Sequence, residues 1–128
     1  TMKKGKLAGG VLLVCDKKFL LVKRSAHYDY PNVWAVVGGG VEPNETSLMA
    51  IKRELKEETQ ISSENINFKF FECQTGMNRP FDFYIGYCKE EYPCILDYEN
   101  QDWGWFNMSE LPKPLFLNLH KSLKKIIK

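Results

Sequence analysis

One amphipathic helix constrains the fold of this chain more than any other feature of its sequence. Residues 46–59 are mostly good helix formers, and their aliphatic side chains recur at spacings of three and four residues: Leu48, Ile51 and Leu55. This period places the three side chains on one face of a helix. Thr46 or Ser47 can cap the amino end, because a hydroxyl oxygen there accepts a backbone N–H. The sequence therefore predicts a helix over residues 46–59 whose apolar face packs into a core.

The segments around this helix alternate between strand-like runs and turns. The strands predicted before the helix are residues 7–14, 19–24 and 33–37, the last of them stopped by the glycines at 38–40. The elements predicted after it are strands at residues 66–73, 81–89 and 103–107 and a closing helix at residues 115–127. Helices that alternate with strands in this way predict an α/β fold, an α/β/α sandwich around a mixed sheet that contains antiparallel strands.

Length, composition and charge are those of one ordinary globular domain. The chain has 128 residues, which is within the usual size of a single domain, so we assign residues 1–128 to one domain. No apolar run reaches the roughly 18–20 residues that a membrane span needs. The formal net charge of +2 requires neither a nucleic acid nor an acidic membrane as partner. We expect a monomer or homodimer with no membrane and no stable nucleic-acid partner.

The cysteines indicate neither a zinc site nor a disulfide framework. Cys15, Cys73, Cys88 and Cys94 form no CxxC pair, and the two histidines stand apart from each other in the sequence. Cys15 and Cys88 lie in apolar, strand-like segments, where a reduced thiol packs as a small hydrophobic group. Reduced thiols predict a cytoplasmic protein.

Three glutamates on the predicted helix are the first candidates for chemistry. Glu54, Glu57 and Glu58 are three and four residues apart, so their side chains lie next to one another. Like charges at this spacing repel by a few tenths of a kcal/mol per pair, and a divalent cation would relieve that repulsion. Carboxylate ligands alone favour Mg²⁺ or Mn²⁺ over zinc. The alternative is a solvated acidic face paired locally with the basic residues of the same helix, Lys52, Arg53 and Lys56.

A longer pattern surrounds these glutamates. From Gly39 to Ile61 the chain reads GGVEPNETSLMAIKRELKEETQI. This segment resembles the Nudix box, G-x5-E-x7-R-E-U-x-E-E-x-G-U, in which U is an aliphatic residue. Gln60 stands where the box has its second glycine. The matching positions are Gly39, Glu45, Arg53, Glu54, Leu55, Glu57, Glu58 and Ile61.

The similarity to Nudix hydrolases extends over most of the chain, including Arg24, Trp34 and Glu99 with the Trp-Gly-Trp-Phe run that follows it. It implies a Nudix-like α/β/α sandwich and Mg-dependent hydrolysis of the diphosphate bond in a nucleoside diphosphate linked to another moiety. The implied partner is a small-molecule nucleotide derivative: a nucleoside triphosphate, ADP-ribose, a nucleotide sugar or a dinucleoside polyphosphate. Fold and motif do not choose among these substrates.

The resemblance also implies roles for the acidic residues. In Nudix hydrolases, glutamates at the positions of Glu54, Glu57 and Glu58 bind the metal, together with a backbone carbonyl at the position of Gly38. Glycine there lets the main chain approach a ligand closely. The general base is Glu57 or Glu54, with Glu99, carried by a loop, as the alternative.

Four further polar residues are expected to support the site. Arg53 and Glu45 are expected to form an ion pair that orients the helix carboxylates. Arg24 stands where the family often has an arginine that contacts substrate phosphate, and the alternative is a solvated surface arginine. Arg79, just before the strand at 81–89, is a second candidate phosphate ligand.

Aromatic residues are candidates for stacking a nucleobase, although most are expected in the core. The candidates are Tyr28, Tyr30, Trp34, Phe81, Phe83 and Tyr84, of which Tyr28, Trp34 and Phe83 are assigned to substrate. Strand alternation places Phe81, Phe83 and Ile85 on one face. One side of that strand is therefore expected to line the pocket.

Two departures from the family pattern concern the backbone. Gln60 replaces a glycine at the helix end, so either the cap differs or Gln60 adopts a left-handed conformation that costs roughly 1 kcal/mol. Asn44 replaces a common glycine before Glu45, and asparagine tolerates positive φ.

Two other functions remain as alternatives: a non-catalytic nucleotide-binding or regulatory domain, and an RNA 5′-end pyrophosphohydrolase. The intact glutamates and the lack of a basic stripe in the sequence favour a nucleotide pyrophosphatase over both.

Overall fold

The computed structural model describes residues 6–76 and 78–128. Residues 1–5 of the predicted domain and Met77 of the loop before residue 81 lie outside this range. The strands are β1 Ala8–Cys15, β2 Lys18–Arg24, β3 Trp34–Ala35, β4 Val37–Gly40, β5 Asn67–Gln74, β6 Phe81–Tyr87 and β7 Asn100–Phe106. The helices are α1 Ser47–Thr59 and α2 Leu119–Ile126, with a turn of 3-10 helix at Met108–Glu110.

The sheet is mixed, as predicted from the sequence. Strand β1 pairs in parallel with β6, whereas all other pairs of these strands are antiparallel. Strands β1 and β2 pair only next to their connecting turn, at Val14 with Phe19 and Cys15 with Lys18. Beyond the turn they separate, and the short strands β3 and β4 occupy the gap, β3 on β2 and β4 on β1.

The two helices cover opposite faces of this sheet. Val11 and Leu13 of β1 pack in the same cluster as the apolar face of α1. The alternate residues Leu12 and Val14 pack with Leu123 of α2 in a second cluster. Because successive side chains of a strand point to opposite faces, one apolar strand supplies both cores. Each fully buried aliphatic side chain contributes roughly 1.5–3 kcal/mol to the stability of the fold. The two helices on opposite faces of one sheet confirm the predicted α/β/α sandwich.

Helix α1 begins and ends close to the predicted residues. The Thr46 hydroxyl accepts a hydrogen bond from the backbone N–H of Met49 at 3.1 Å, which caps the amino end. At the other end Gln60 is left-handed, with φ of 63°, and its N–H donates to the Lys56 carbonyl at 3.0 Å. Gln60 therefore adopts the conformation that the family's glycine favours. Asn44 also has positive φ, at 69°, as expected.

The prediction that the glycines at 38–40 end a strand was wrong. They belong to β4, and none of the glycines in the described chain has positive φ. The reason for glycine is close packing, because a Cβ atom at Gly38 would overlap the carbonyl oxygen of Gly9 on the neighbouring strand. The predicted strand at 33–37 is divided accordingly into β3 and β4.

The closing helix is shorter than predicted and begins at Leu119. Before it, Leu115 forms a bridge with Trp34, and the Phe116 N–H donates to the Trp34 carbonyl at 2.8 Å. These bonds hold the segment extended, and Asn118 then turns the chain with a left-handed φ of 68°. Tertiary pairing outweighs the helical pattern here. Strand β7, by contrast, begins earlier than predicted because it pairs along β2 as far as Arg24.

The cysteines are free thiols in the structure. Burial raises the pKa of Cys88 and of Cys94 to about 12, which favours the protonated thiols. Neither of the two described helices is long and apolar enough to cross a membrane.

Candidate metal and substrate site

Three glutamates from two separate parts of the chain meet at the carboxyl end of α1. Glu54 and Glu58 lie one helical turn apart on α1, and Glu99 immediately precedes β7. One carboxylate oxygen from each of the three lies within 4.8 Å of the others. The Glu99 carbonyl accepts the Ser25 N–H at 2.9 Å, which fixes this part of the chain to the end of β2. The geometry suits a divalent cation with carboxylate ligands.

The burial of these carboxylates also supports a divalent-cation site. Among the described residues, Glu54 Oε1 and Glu58 Oε2 are buried without a hydrogen-bond partner. Burial raises the pKa of Glu54, and it raises the pKa of Glu58 well above its ordinary value. Burial, then the charge of Glu54, raises the pKa of Glu99. Arg53 supplies one counter-charge, at Glu54, but several buried carboxylates with so little counter-charge are costly; a divalent cation would supply more, so the residues fit the expected metal.

Glycine at position 39 is required by the Glu54 carboxylate. A Cβ atom at Gly39 would lie 2.6 Å from the carboxyl carbon of Glu54, so any larger residue would displace that group. The carboxylate thus lies directly against the backbone of β4. This contact explains physically why a glycine and a glutamate fifteen residues apart belong to one motif.

The predicted ion pair between Arg53 and Glu45 is present. Arg53 Nε donates to Glu45 Oε2 at 3.0 Å and Nη2 to Oε1 at 2.8 Å, which is a bidentate pair. The same guanidinium donates to the Gly40 carbonyl at 3.0 Å and to Glu54 Oε2 at 3.1 Å. The bonds from Arg53, then one from the backbone N–H of Glu42, lower the pKa of Glu45 to about 2. Arg53 therefore connects the loop that carries Glu45, between β4 and α1, with β4 and with the Glu54 carboxylate.

Glu57 lies outside the tight group of three carboxylates. Its side chain is 51% exposed, and Oε1 lies 3.4 Å from Arg53 Nη1. The sequence pattern gave no reason to separate it from its neighbours, because all three glutamates share the helix. In the structure Glu54 and Glu58 point inward with Glu99, whereas Glu57 stays at the rim.

Asn100 is a site residue that the sequence did not indicate. It is buried, and its Nδ2 donates to Glu58 Oε1 at 2.8 Å. This bond satisfies one oxygen of Glu58 and leaves the other without a partner among the described residues. An asparagine at the start of a strand has no distinctive pattern, so only the fold reveals this contact.

A cavity of about 610 Å³ is lined by Gly39, whose backbone lies against the Glu54 carboxylate, although none of the three clustered glutamates lines it. Gly38 and Gly39 border it on one side, and α2 with the segment before it forms another wall. Three of the predicted substrate residues line this cavity: Arg24, Arg79 and Phe83. Residues that line it but were not assigned to substrate include Tyr30, Phe116, Lys121 and Lys125.

Two residues assigned to substrate lie elsewhere. Trp34 is buried in the core, where its ring contacts Phe106 edge-on with centroids 5.2 Å apart. Tyr28 packs against Tyr98, with centroids 5.8 Å apart, and does not line the cavity. Of the three aromatic residues assigned to substrate, only Phe83 therefore lines the cavity, because aromatic character alone does not tell pocket side chains from others.

The two arginines that line the cavity differ in their contacts. Arg24 Nε donates to the Asp29 carbonyl at 2.6 Å, so part of its guanidinium already stabilises the loop after β2. The Arg79 guanidinium lies over Gly40, with Nη1 at 3.6 Å from the point where a Cβ atom would be. Arg79 thus lies beside the same strand that borders the Glu54 carboxylate.

The sequence of this chain is similar to those of known proteins. The family model described as NUDIX domain matches residues 4–128. A relative named NAD-capped RNA hydrolase NudC, from Pseudomonas fluorescens, is 30% identical over 103 residues, which is 80% of this chain and 37% of that protein. A CTP pyrophosphohydrolase from Escherichia coli is 44% identical over 48 residues, 38% of this chain and 36% of the relative. The matched regions thus span little more than a third of these relatives.

Solved structures share the fold. A MutT NUDIX hydrolase from Burkholderia pseudomallei superimposes with a TM-score of 0.78 at 24% identity, covering 94% of this chain and 97% of the other. An Ap4A hydrolase from C. elegans gives 0.75 at 22% identity, covering 93% and 94%. A MutT/nudix family protein from Enterococcus faecalis gives 0.71 at 27% identity, covering 84% of this chain and 45% of that protein.

Proposed function

This chain belongs to the Nudix family, and on that premise we propose that it is a metal-dependent hydrolase of a diphosphate bond in a nucleotide derivative. The observation that carries the proposal is the group of buried Glu54 and Glu58 with half-buried Glu99, in which two carboxylate oxygens lack a partner among the described residues. Such a group is costly to fold unless a cation compensates it. The cavity that Gly39 lines has room for a nucleotide-sized ligand.

The proposed metal ligands are Glu54, Glu58 and Glu99, with Glu57 and the Gly38 carbonyl as further candidates. Mg²⁺ is the expected ion and Mn²⁺ the alternative, because the ligands are all oxygen atoms. Bound divalent ions would neutralise a diphosphate and stabilise the charge that develops on its leaving oxygen.

Side chains of the protein itself would bind the phosphate groups and accept the proton of the attacking water. Arg79 and the free part of the Arg24 guanidinium would bind phosphate oxygens, since both residues line the cavity. Glu57 is the first candidate to accept a proton from the attacking water, because it is half exposed while Glu54 and Glu58 are enclosed. Glu99 is the second candidate.

Action on an RNA 5′ end is the second proposed function, and one observation favours it. Lys121 and Lys125 on α2 line the same cavity, although Lys125 also lies 3.6 Å from Glu72. Lysines next to a diphosphate site could bind the phosphate of a second nucleotide. Relatives named NAD-capped RNA hydrolase and RNA pyrophosphohydrolase fit this alternative.

Hydrolysis of a substrate panel tests the proposal. The panel contains nucleoside triphosphates, ADP-ribose, nucleotide sugars, dinucleoside polyphosphates and a short 5′-triphosphorylated RNA, each with Mg²⁺ and with EDTA. We expect hydrolysis of at least one member that requires metal and falls at least roughly 100-fold in Glu57→Gln and Glu58→Gln. The matched control is Glu64→Gln, an exposed glutamate outside the site, which should keep full activity. Equal activity in Glu58→Gln and wild type would refute the metal site.

A further inference from the structure

The cavity has an aromatic wall that the proposed catalytic chemistry does not use. Tyr30 and Phe116 both line it, and their rings meet edge-to-face with centroids 4.8 Å apart and planes at 64°. They come from distant parts of the chain, the loop after β2 and the segment before α2. Tyr30 was one of the six stacking candidates in the sequence but was not assigned to substrate, and Phe116 was in neither group.

The backbone at Tyr30 is unusual. Its φ is 53°, in the left-handed region that bulky residues rarely adopt. Such a conformation costs roughly 1–2 kcal/mol relative to the right-handed region and persists only where surrounding contacts impose it. The side chain is nevertheless 45% exposed, so burial in the core does not compensate that strain.

The contacts that impose this conformation connect the loop to the site. Arg24 Nε binds the carbonyl of Asp29, next to Tyr30, and the Asn32 N–H donates back to the Arg24 carbonyl at 3.0 Å. Gln101 of β7 donates to the Arg24 carbonyl at 2.8 Å and to Asn32 Oδ1. The loop is therefore held from both sides, and it keeps an exposed aromatic ring at the cavity.

The opposite ring is fixed as well. Phe116 packs against the core cluster under α2, and its N–H donates to the Trp34 carbonyl. A fixed pair of aromatic side chains, with arginines on the same cavity, suits a ligand that has a planar ring at one end and phosphate at the other. Packing of apolar side chains alone does not explain why a strained tyrosine stays exposed at the cavity.

We propose that Tyr30 and Phe116 bind the planar heteroaromatic ring of the substrate, while the diphosphate lies towards Gly39 and Arg79. This inference rests on the proposed function, because it assigns the ring of the substrate to a defined part of the same cavity. The ring could be a nucleobase or a nicotinamide, which share the stacking chemistry.

Calorimetric titration without metal tests the proposal independently of hydrolysis. The ligands are AMP, CMP and nicotinamide mononucleotide, each with a ring, and ribose 5-phosphate, which has none. Tyr30→Leu and Phe116→Leu should weaken binding of at least one ring-bearing ligand roughly 5- to 100-fold and leave ribose 5-phosphate unchanged. Tyr30→Phe should bind as wild type does. Which ligands lose affinity identifies the ring.

The matched control is Phe70→Leu. Phe70 is 55% exposed and meets Tyr84 edge-on at 5.5 Å, but it does not line the cavity, so its loss should change no affinity. Thermal melting checks that each variant is folded. The proposal is overturned if the Leu variants at Tyr30 and Phe116 bind all ligands as wild type does, if ribose 5-phosphate weakens equally, or if wild type binds no ring-bearing ligand. Ring binding without any hydrolysis on the panel would instead refute the proposed function.

Discussion

At the scale of single residues, the sequence predicts which side chains of one helix, or of one motif, lie next to each other. Glu54 and Glu58 share a face because four residues make about one turn, and the pairing of Arg53 with Glu45 follows from the box that the segment resembles. Asn100 and Phe116 could not be predicted in this way, and Tyr30 could not be told from the other five stacking candidates. Their roles depend on where a strand and a loop lie relative to α1 and α2, which local spacing does not encode.

Gly39→Ala tests the contact between β4 and the Glu54 carboxylate. The added Cβ would lie 2.6 Å from the Glu54 carboxyl carbon, so the carboxylate must move. We expect Mn²⁺ affinity, measured by electron paramagnetic resonance, to fall roughly 10- to 100-fold, as for other changes that misorient a ligand. Gly76→Ala is the matched control, because a Cβ there would meet no atom of the described residues within 4 Å. Equal Mn²⁺ affinities in the two variants would argue against this role for Gly39.

At the scale of elements, local signals predict α1 well and α2 poorly. Helix α1 has a capping threonine, a continuous apolar period and a clear end, and each agrees with its tertiary packing. The residues before α2 continue a helical pattern, but pairing with β3 holds them extended. The glycines of β4 were misread because glycine is common both in turns and in closely packed strands, and a sequence does not tell these uses apart.

The left-handed end of α1 should be open to stabilisation. Gln60→Gly removes the steric cost of a Cβ atom at φ of 63° and should raise the free energy of unfolding by roughly 1 kcal/mol. For a domain of this size, that is a rise in Tm of about 3–5 °C. Differential scanning calorimetry measures it, with Gln60→Ala as the control that should give no gain. A Tm for Gln60→Gly at or below that of Gln60→Ala would show that the left-handed backbone at Gln60 carries no such cost.

At the scale of the whole molecule, the sheet assembles the site from parts that are far apart in sequence. Strand β1 supports both helices, β4 lies against Glu54, and the start of β7 delivers Glu99 and Asn100 to α1. The fold class follows from the order of elements, and its two-layered core follows from the alternation of β1. The shape of the cavity depends on all of these elements together, so the sequence did not define its aromatic wall.

Metal-free protein should lose stability as pH rises through the titration of the buried glutamates. The pKa of Glu58 lies well above its ordinary value of 4.5, so the folded state holds its proton over a range where the unfolded state has lost it. Its contribution is fully present below about pH 4.5 and disappears as pH rises through the raised value. Glu45 acts in the opposite sense, because its contribution is present above its ordinary pKa and is lost only as pH falls through about 2.

Urea unfolding in EDTA between pH 5 and pH 8 measures this dependence. The free energy of unfolding of wild type, minus that of Glu58→Gln, should fall with rising pH, because the variant has no proton to lose at that position. Added Mg²⁺ should reverse the trend, since the ion binds the ionised carboxylates. A difference that stays flat or rises with pH in EDTA would contradict the assignment of a buried, unpaired carboxylate.

We propose that Glu54, Glu58 and Glu99 hold a divalent cation, and anomalous diffraction from crystals soaked in Mn²⁺ would locate that ion. We expect an anomalous peak beside Glu54 Oε1 and Glu58 Oε2, the buried oxygens without partners in the described chain. The peak should be absent from crystals of Glu58→Gln soaked in the same way. Saturating Mn²⁺ that leaves this position empty in the wild-type protein, or that binds only at other acidic residues, would contradict it.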